Sequence, residues 1–257
     1  MLQTLFSLPI YKTNLNSTDI NAVEIANYLD TQFSTIVNTV ELEKNGGVST
    51  YGQNKCLHNL EIFKKLNDVA LYHANLYWKA LDINDGLHPV IDECWSNRHV
   101  KGSHTDLHSH SLHPLVVSFY LKAPADCGGI VFANPMEYAL THMPYNGKVE
   151  EKTNTTIYVS TGDMLIFPGW LRHKTEVSQT DDQRIVITFN LRYEGRYLDS
   201  QQPYAKIQPV SMPDNLSDPI IIYSNSSEMD YLFKKLHTQE VLIQQLKNTL
   251  LGQKNGK

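Results

Sequence analysis

The sequence has few cysteines, no long apolar run and no excess of positive charge. Its three cysteines, Cys56, Cys94 and Cys127, are odd in number and widely spaced, which favours free thiols in a reducing compartment. No segment approaches the roughly 18 apolar residues that a membrane-spanning helix requires, and the opening MLQTLFSLPIYK lacks the basic region and long apolar run of a signal peptide. The net charge of −5 gives no electrostatic argument for a nucleic-acid partner. We therefore expect a cytoplasmic protein without a membrane partner.

Two long helices are predicted in the first ninety residues. Apolar residues recur at helical intervals in segments 18–40 and 57–83, and the first segment opens on a Thr-Asp capping signal. Its apolar stripe comprises Ile20, Val23, Ala26, Leu29, Phe33 and Val37. The second segment carries Tyr72, Tyr77 and Trp78, which suits a helix that covers a sheet. We expect residues 1–90 to form a helical support region.

Short β-rich segments separated by turns follow, from about residue 91 to residue 197. The clearest read PLVVSFYLKA, GIVFAN, TTIYVS, DMLIFP and RIVITFNLRY, and no helical pattern separates them. This texture predicts a mainly β fold with flanking helices, either a sandwich or a jelly-roll (cupin-like) barrel covered by the N-terminal helices. The long segment 134–155 between two of these strands is the expected substrate-selecting loop.

The last region, residues 198–257, is predicted to be an extension that ends in a helix over about 227–251. Apolar residues recur there every seven positions, at Met229, Leu236, Ile243 and Leu250. We expect this helix to dock on the chain's own domain or, alternatively, to support a homodimer.

The segment SHTDLHSHSLHP, residues 103–114, concentrates four histidines and one aspartate. Alternate side chains of an extended strand share a face, so residues two apart can converge on one metal ion. Two chelating pairs are then open, His104 with Asp106 and His108 with His110, and mixtures such as Asp106 with His108 are also compatible with that face.

A cleanly alternating strand begins at Arg184. Ile185, Ile187, Phe189 and Leu191 fall on one apolar face, which suits packing under the helices. Arg184, Val186, Thr188 and Asn190 fall on the other face, the mixed lining expected inside a barrel that holds a small charged ligand. An arginine in such a lumen requires a carboxylate or phosphate partner, because an unpaired buried charge is costly.

Taken in order, the HxD or HxH pair, FYL, GGIVFANP, GDMLIFPGWLRH and RIVITFN resemble the Fe(II)/2-oxoglutarate-dependent oxygenases. The resemblance runs from about Trp95 to Arg192. Within this family it is strongest to a prolyl-hydroxylase-like group common in marine bacteria and their phages. It implies a double-stranded β-helix fold and the use of Fe(II), 2-oxoglutarate and O₂.

The resemblance also implies roles for individual residues. His173 would be the distal metal ligand, and Arg184 would form a bidentate pair with the far carboxylate of 2-oxoglutarate. Tyr120 stands where related hydroxylases place a tyrosine that meets the same carboxylate, and Asn97 could contact the other end of the molecule. In this group the segment commonly reads as a glycine, five residues and then HxH, which favours His108 and His110 over His104 and Asp106. No catalytic residue is predicted beyond the metal ligands.

The sequence therefore predicts a dioxygenase that hydroxylates a prolyl or other peptidyl side chain, or a small molecule, while 2-oxoglutarate is converted to succinate. One alternative is a cupin-like three-histidine metalloenzyme that does not use 2-oxoglutarate. Another is a non-enzymatic jelly-roll protein with a structural or interaction role.

Overall fold

The computed structural model describes residues 7–15, 20–37, 39–83, 86–110, 112–142, 144, 146–148, 150–196 and 220–223. The chain divides into two units, Tyr11–Ile220 and the pair of segments Met1–Ile10 and Ile221–Lys257. The helix expected over about 227–251 lies outside the described residues. The predicted boundaries at residues 90 and 197 stay predictions. In the described part of the chain, no helix has the length and apolarity needed to cross a bilayer.

The architecture is mainly β, as predicted. In chain order the strands are β1 (Pro9–Asn14), β2 (Glu43–Lys44), β3 (Val48–Ser49), β4 (Leu87–His99), β5 (His104–Thr105), β6 (Leu115–Lys122), β7 (Ile130–Ala133), β8 (Asn154–Ile157), β9 (Asp163–Pro168), β10 (His173–Thr175), β11 (Arg184–Gly195) and β12 (Ile220–Tyr223). Within Tyr11–Ile220, the larger sheet has the order β1-β9-β6-β11-β4-β3 and the smaller sheet the order β10-β7-β8. The short strands β2 and β5 pair with each other.

The two sheets form the layers of a double-stranded β-helix. Phe132 of the smaller sheet contacts Phe167 of the larger one edge-to-face, with ring centroids 5.0 Å apart. Every pairing within Tyr11–Ile220 that joins two named strands is antiparallel. The sheets face each other without closing into a continuous barrel, because separate strand sets form the larger and the smaller sheet.

The first predicted helix forms over a shorter range. It runs as α1 (Ala22–Thr35), and the Asn21 side chain accepts a hydrogen bond from the Glu24 backbone N–H at its start. Ile25, Leu29 and Phe33 are its buried residues. Val23 and Val37 are 72% and 90% exposed, so their assignment to the apolar stripe was wrong.

The second predicted helix is divided. Two 3₁₀ turns, Leu57–Asn59 and Glu61–Phe63, precede α2 (Lys64–Ala80), because Leu60 takes an extended conformation that interrupts the helical path. Tyr77 and Trp78 are buried on α2, which packs on β4 and β6. The prediction that this helix covers a sheet is confirmed. Two further short helices, α3 (Glu137–Thr141) and α4 (Glu150–Thr153), lie between β7 and β8.

Candidate metal and 2-oxoglutarate site

Three histidines from two distant parts of the chain converge between the sheets. His108, His110 and His173 each offer a ring nitrogen, and these atoms lie within 4.8 Å of one another. The rings of His110 and His173 are nearly parallel, with centroids 5.2 Å apart, and the His108 centroid is 4.3 Å from that of His173. His173 is buried, whereas His108 and His110 are partly buried. The structure thus brings together the three residues that the sequence favoured as metal ligands.

Backbone hydrogen bonds hold the two segments side by side. The His108 and His173 backbones exchange both of their bonds, at 2.9 and 2.8 Å, and the His110 N–H donates to the Gly169 carbonyl at 2.7 Å. Gly169 admits no side chain, because a Cβ there would lie 2.0 Å from the His113 carbonyl oxygen. The glycine of FPGWLRH is therefore required for the close approach of the two histidine segments.

Each of the three rings has its Nδ1 atom engaged. Nδ1 of His108 donates to the Asp106 carbonyl at 2.8 Å, and Nδ1 of His173 donates to the Leu171 carbonyl at 2.8 Å. Since a carbonyl oxygen only accepts hydrogen bonds, both rings carry their proton on Nδ1 when neutral, which leaves the lone pair on Nε2.

The same tautomer is fixed for His110 through a longer chain of contacts. Asn190 donates from Nδ2 to Glu93 Oε2 at 2.9 Å, so its Oδ1 is the atom that accepts from His110 Nδ1 at 2.6 Å. Lys55 in turn forms an ion pair with Glu93. Nε2 of His110 is buried and has no hydrogen-bond partner in the described part of the chain. An unpartnered buried nitrogen of this kind is chemically suited to a metal ion.

The electrostatics of the cluster keep the rings neutral. Burial, reinforced by the charge of His108, lowers the pKa of His110 to about 4. Burial and the other two histidines lower the pKa of His173 well below its usual range, and burial lowers that of His108. Neutral imidazoles are the form that ligates metals, so these groups release no proton on binding at pH 7.

The alternative pair, His104 and Asp106, lies apart from the cluster. Nε2 of His104 is 3.2 Å from Asp106 Oδ1, and the other carboxylate oxygen is 3.3 Å from Lys44 Nζ. The segment is a regular strand only at His104–Thr105, so the parity argument for one shared face does not extend along it.

Arg184 and Tyr120 line a narrow cavity that the three histidines also line. The strand register accounts for this, because Val186 pairs with Tyr120 and Arg184 stands opposite His99. Arg184 is 1% exposed, and in the described residues no carboxylate forms an ion pair with it. Burial raises the pKa of Tyr120 well above its usual value, which keeps its hydroxyl neutral.

Two residues of this cavity's surroundings were not assigned a role from the sequence. His99 Nδ1 accepts from Arg184 Nη2 at 2.7 Å, and His99 Nε2 lies 2.7 Å from Glu43 Oε2. Glu43 comes from β2, 56 residues before His99. The CWSNRH segment and the alternating strand pointed to this region, but no pattern in the sequence indicates the Glu43 contact.

A second, larger cavity of about 430 Å³ is also lined by His108 and His110. Asn97 lines both cavities, and its Oδ1 accepts a hydrogen bond from the Ser49 hydroxyl at 2.7 Å. The lining of this large cavity comes from segments 40–55 and 93–113 together with Asn190. Among the described residues of segment 134–155, which the sequence favoured as the substrate loop, none lines this cavity.

Comparison with known proteins agrees with the geometry. Residues 93–190 match a family model described as "Putative 2OG-Fe(II) oxygenase". No curated protein matches the sequence.

Solved structures similar to this chain include three from bacteria. A prolyl-4-hydroxylase from Pseudomonas putida has 12% identity and a TM-score of 0.49, over 72% of this chain and 93% of that one. HygX from Streptomyces hygroscopicus, with nickel and 2-oxoglutarate bound, has 14% identity and a TM-score of 0.49, over 76% and 86%. A 2OG-Fe(II) oxygenase family oxidoreductase from Burkholderia pseudomallei has 15% identity and a TM-score of 0.43, over 66% and 79%.

The region matched by the family model coincides with the site. The matched residues include the second part of β4, all of β6, β7, β9 and β10, and most of β11, the strands that position the histidines and Arg184. The family's cofactors are Fe(II) and 2-oxoglutarate, with O₂ as the co-reactant. The match to the 2OG-Fe(II) oxygenase family model covers residues 93–190, the part of this chain that holds the three histidines and Arg184.

Proposed function

We propose that the chain is a hydroxylase in which His108, His110 and His173 hold Fe(II), while Arg184 and Tyr120 bind the far carboxylate of 2-oxoglutarate. Asn97 would contact the other end of the cosubstrate. The observation that carries the proposal is the convergence of three Nε2 lone pairs beside a buried arginine.

The donor set fits a mononuclear iron. Three neutral imidazoles on one side of the ion leave positions for the cosubstrate and O₂, and the Nδ1 bonds fix each ring in orientation. The resemblance implies that most members of the family have a carboxylate ligand where this chain has His110. Here the carboxylate of Glu93 is linked to His110 through Asn190.

The narrow cavity fits the cosubstrate. Burying a guanidinium without an ionic partner is costly, and the far carboxylate of 2-oxoglutarate supplies the missing partner in bidentate geometry. The Tyr120 hydroxyl lies in the same cavity and would donate to that carboxylate as a neutral group.

Bound iron, with 2-oxoglutarate and O₂, supplies the oxidising chemistry of this class. The proposed overall reaction converts a substrate C–H bond, 2-oxoglutarate and O₂ to a C–OH bond, succinate and CO₂. The protein's own residues orient the cosubstrate and exclude water, since Val186, Thr188 and Trp95 close the walls around the rings.

The large cavity is the proposed site of the hydroxylated substrate. Its size lies within the range of small-molecule pockets. Tyr51 and Trp95 meet there edge-to-face with ring centroids 5.0 Å apart, and Val40 and Leu42 add apolar surface. These walls suit a neutral ring such as a prolyl side chain, which the resemblance also implies, and a small molecule of similar shape is the other candidate.

Anaerobic titration tests the proposal. The protein should bind one equivalent of Fe(II), and 2-oxoglutarate should then produce a metal-to-ligand absorption band in the visible region. Arg184→Leu should weaken the response to 2-oxoglutarate without changing iron binding. Iron binding without the band would instead support the cupin-like alternative, and no iron binding would support a non-enzymatic role.

Two further expectations concern the protein's setting. We propose a reducing, cytoplasmic location, which suits the three free cysteines Cys56, Cys94 and Cys127. Homodimerisation through the C-terminal segment is a second proposal, and sedimentation of the full chain against a chain ending at residue 224 would test it.

A further inference from the structure

A fully buried chain of three side chains runs behind the narrow cavity. Glu43 and His99 have side chains that are 1% and 0% exposed, and Arg184 is 1% exposed as a residue. Glu43 Oε2 lies 2.7 Å from His99 Nε2, while Arg184 approaches His99 Nδ1 with Nη2 at 2.7 Å and Nε at 3.2 Å. The Thr105 hydroxyl donates to the other Glu43 oxygen at 3.0 Å.

The direction of each hydrogen bond in this chain is determined. Arginine only donates, so His99 Nδ1 must be the acceptor, and the proton of the neutral ring is on Nε2 and points at Glu43. The nearby guanidinium charge and burial both disfavour a second proton on His99. The negative charge of Glu43 is thereby coupled to the positive charge of Arg184 through a neutral ring.

The same contacts fix the plane of the guanidinium group. Nε and Nη2 donate to His99, and Nη1 donates to the Gly128 carbonyl at 3.1 Å. Of the five N–H groups that an arginine has, this uses three and leaves one on each terminal nitrogen. Those two N–H groups form the edge that can donate two parallel hydrogen bonds to a carboxylate.

We propose that His99 and Glu43 are positioning residues for the cosubstrate: they hold Arg184 so that its free edge is presented to the far carboxylate of 2-oxoglutarate. The inference rests on the proposed role of Arg184. It predicts that changes at positions 43 and 99 act through Arg184 on the far carboxylate, because both residues lie outside the three-histidine cluster.

Three substitutions separate the parts of this chain. His99→Leu removes both hydrogen bonds, whereas His99→Asn keeps an acceptor near the Nδ1 position and loses the reach to Glu43. Glu43→Gln keeps the size of the side chain and removes its charge. Affinity for 2-oxoglutarate should fall on the order of 10-fold in His99→Leu, because this variant loses the hydrogen bonds to the charged guanidinium, which are stronger than neutral ones. The loss should be smaller in His99→Asn and Glu43→Gln, because both keep an acceptor for Arg184.

The measurement compares two 2-oxo acids on the anaerobic Fe(II) protein, through the visible band. One is 2-oxoglutarate, and the other is 2-oxopentanoate, in which a methyl group replaces the far carboxylate. The variants should bind 2-oxopentanoate and Fe(II) as the wild type does. In succinate-formation assays, the KM for 2-oxoglutarate should rise while kcat at saturating 2-oxoglutarate changes little.

The outcomes distinguish this inference from the function on which it rests. Equal losses for both 2-oxo acids would show general damage to the site and overturn the positioning role, as would unchanged 2-oxoglutarate affinity in His99→Leu and Glu43→Gln. If the wild type gives no band, or Arg184→Leu binds 2-oxoglutarate normally, the proposed function fails and the inference with it. Should His99→Leu not fold, His99→Asn and Glu43→Gln give the same comparison.

Discussion

Asn190 offers the sharpest test of how the metal site is organised. Its Oδ1 accepts from His110 Nδ1 at 2.6 Å and its Nδ2 donates to Glu93 at 2.9 Å, and the residue is 4% exposed. Asn190→Leu preserves the approximate volume and removes both bonds. His110 would then lose the contact that sets its tautomer and ring orientation.

The expected magnitude follows from these two bonds. Loss of a partner that orients a metal-bound histidine typically reduces metal affinity 10–100-fold, or about 1.4–2.7 kcal/mol. A buried N–H left without a partner costs about 1–3 kcal/mol, which is similar to that loss of binding free energy. Asn190→Asp restores the acceptor, so iron affinity should recover, whereas the free energy of unfolding should fall because two carboxylates then meet at Glu93.

The assay is anaerobic Fe(II) titration, with thermal unfolding followed in parallel. Thr188→Val is the matched control, since Thr188 lies on the same strand and the same face, two residues earlier, and is 6% exposed. Its iron affinity should stay within about twofold of the wild type. If Asn190→Leu also bound iron within twofold of the wild type, the contact with Asn190 would not be what orients His110 for metal binding.

Three other predictions concern the ligand choice, the loop contact and the pH dependence. His110→Ala should abolish iron uptake, while Asp106→Ala should leave it intact, because Asp106 contacts Lys44 and His104. Iron titration of both variants checks this, and the reverse result would favour His104 and Asp106 as the ligands. Gly169→Ala should lower the thermal midpoint and weaken iron binding together, since its Cβ would overlap the His113 carbonyl oxygen; an unchanged midpoint would contradict the close approach. His73 Nδ1 is hydrogen-bonded to the Tyr11 hydroxyl at 2.6 Å, and burial lowers the pKa of His73 to about 4. The unfolded chain therefore binds the proton first, and this residue's stabilisation, about 3 kcal/mol at most, is present above pH 6.5 and lost as the pH falls from 6.5 to 4. Urea unfolding across that range should show a steeper loss in the wild type than in His73→Gln, and equal slopes would refute this assignment.

The strands that surround the site were predictable because their own pattern determines them. The period-two alternation from Arg184 to Leu191 gives one apolar face and one face toward the cavities. The apolar face is buried, and the residues of the other face line the two cavities, namely Arg184, Val186, Thr188 and Asn190. The same holds for the strand that carries Tyr120. Turn residues bounded these segments closely, so the expected and observed limits differ little.

Contacts between distant segments were less predictable. Glu43 lies in a polar, loop-rich segment that has no distinctive sequence pattern. The pairing of β2 with β5 accompanies its contact with His99. The lining of the large cavity depends in the same way on how segment 40–55 crosses the sheet edge. A local pattern predicts which face a side chain occupies but does not predict which distant segment covers that face.

The HTDLHSH segment is an intermediate case. Treating it as one extended strand placed four side chains on a shared face, whereas regular pairing is confined to His104–Thr105 and an isolated bridge at His108. The preference for HSH over HTD came from the resemblance. The side-chain contacts of Asp106, which the sequence does not specify, place that carboxylate away from the other histidines.

The pairing of β11 with β4 ties both halves of the site to one ladder. Arg184 stands opposite His99 and Asn190 opposite Glu93, and the only irregularity in this register follows Asn190. Inserting or deleting one residue between positions 93 and 99 would change the spacing that the two pairs share, so at most one of the two pairs could stay in register. Iron retention and cosubstrate recognition thus depend on the same residue spacing along β4.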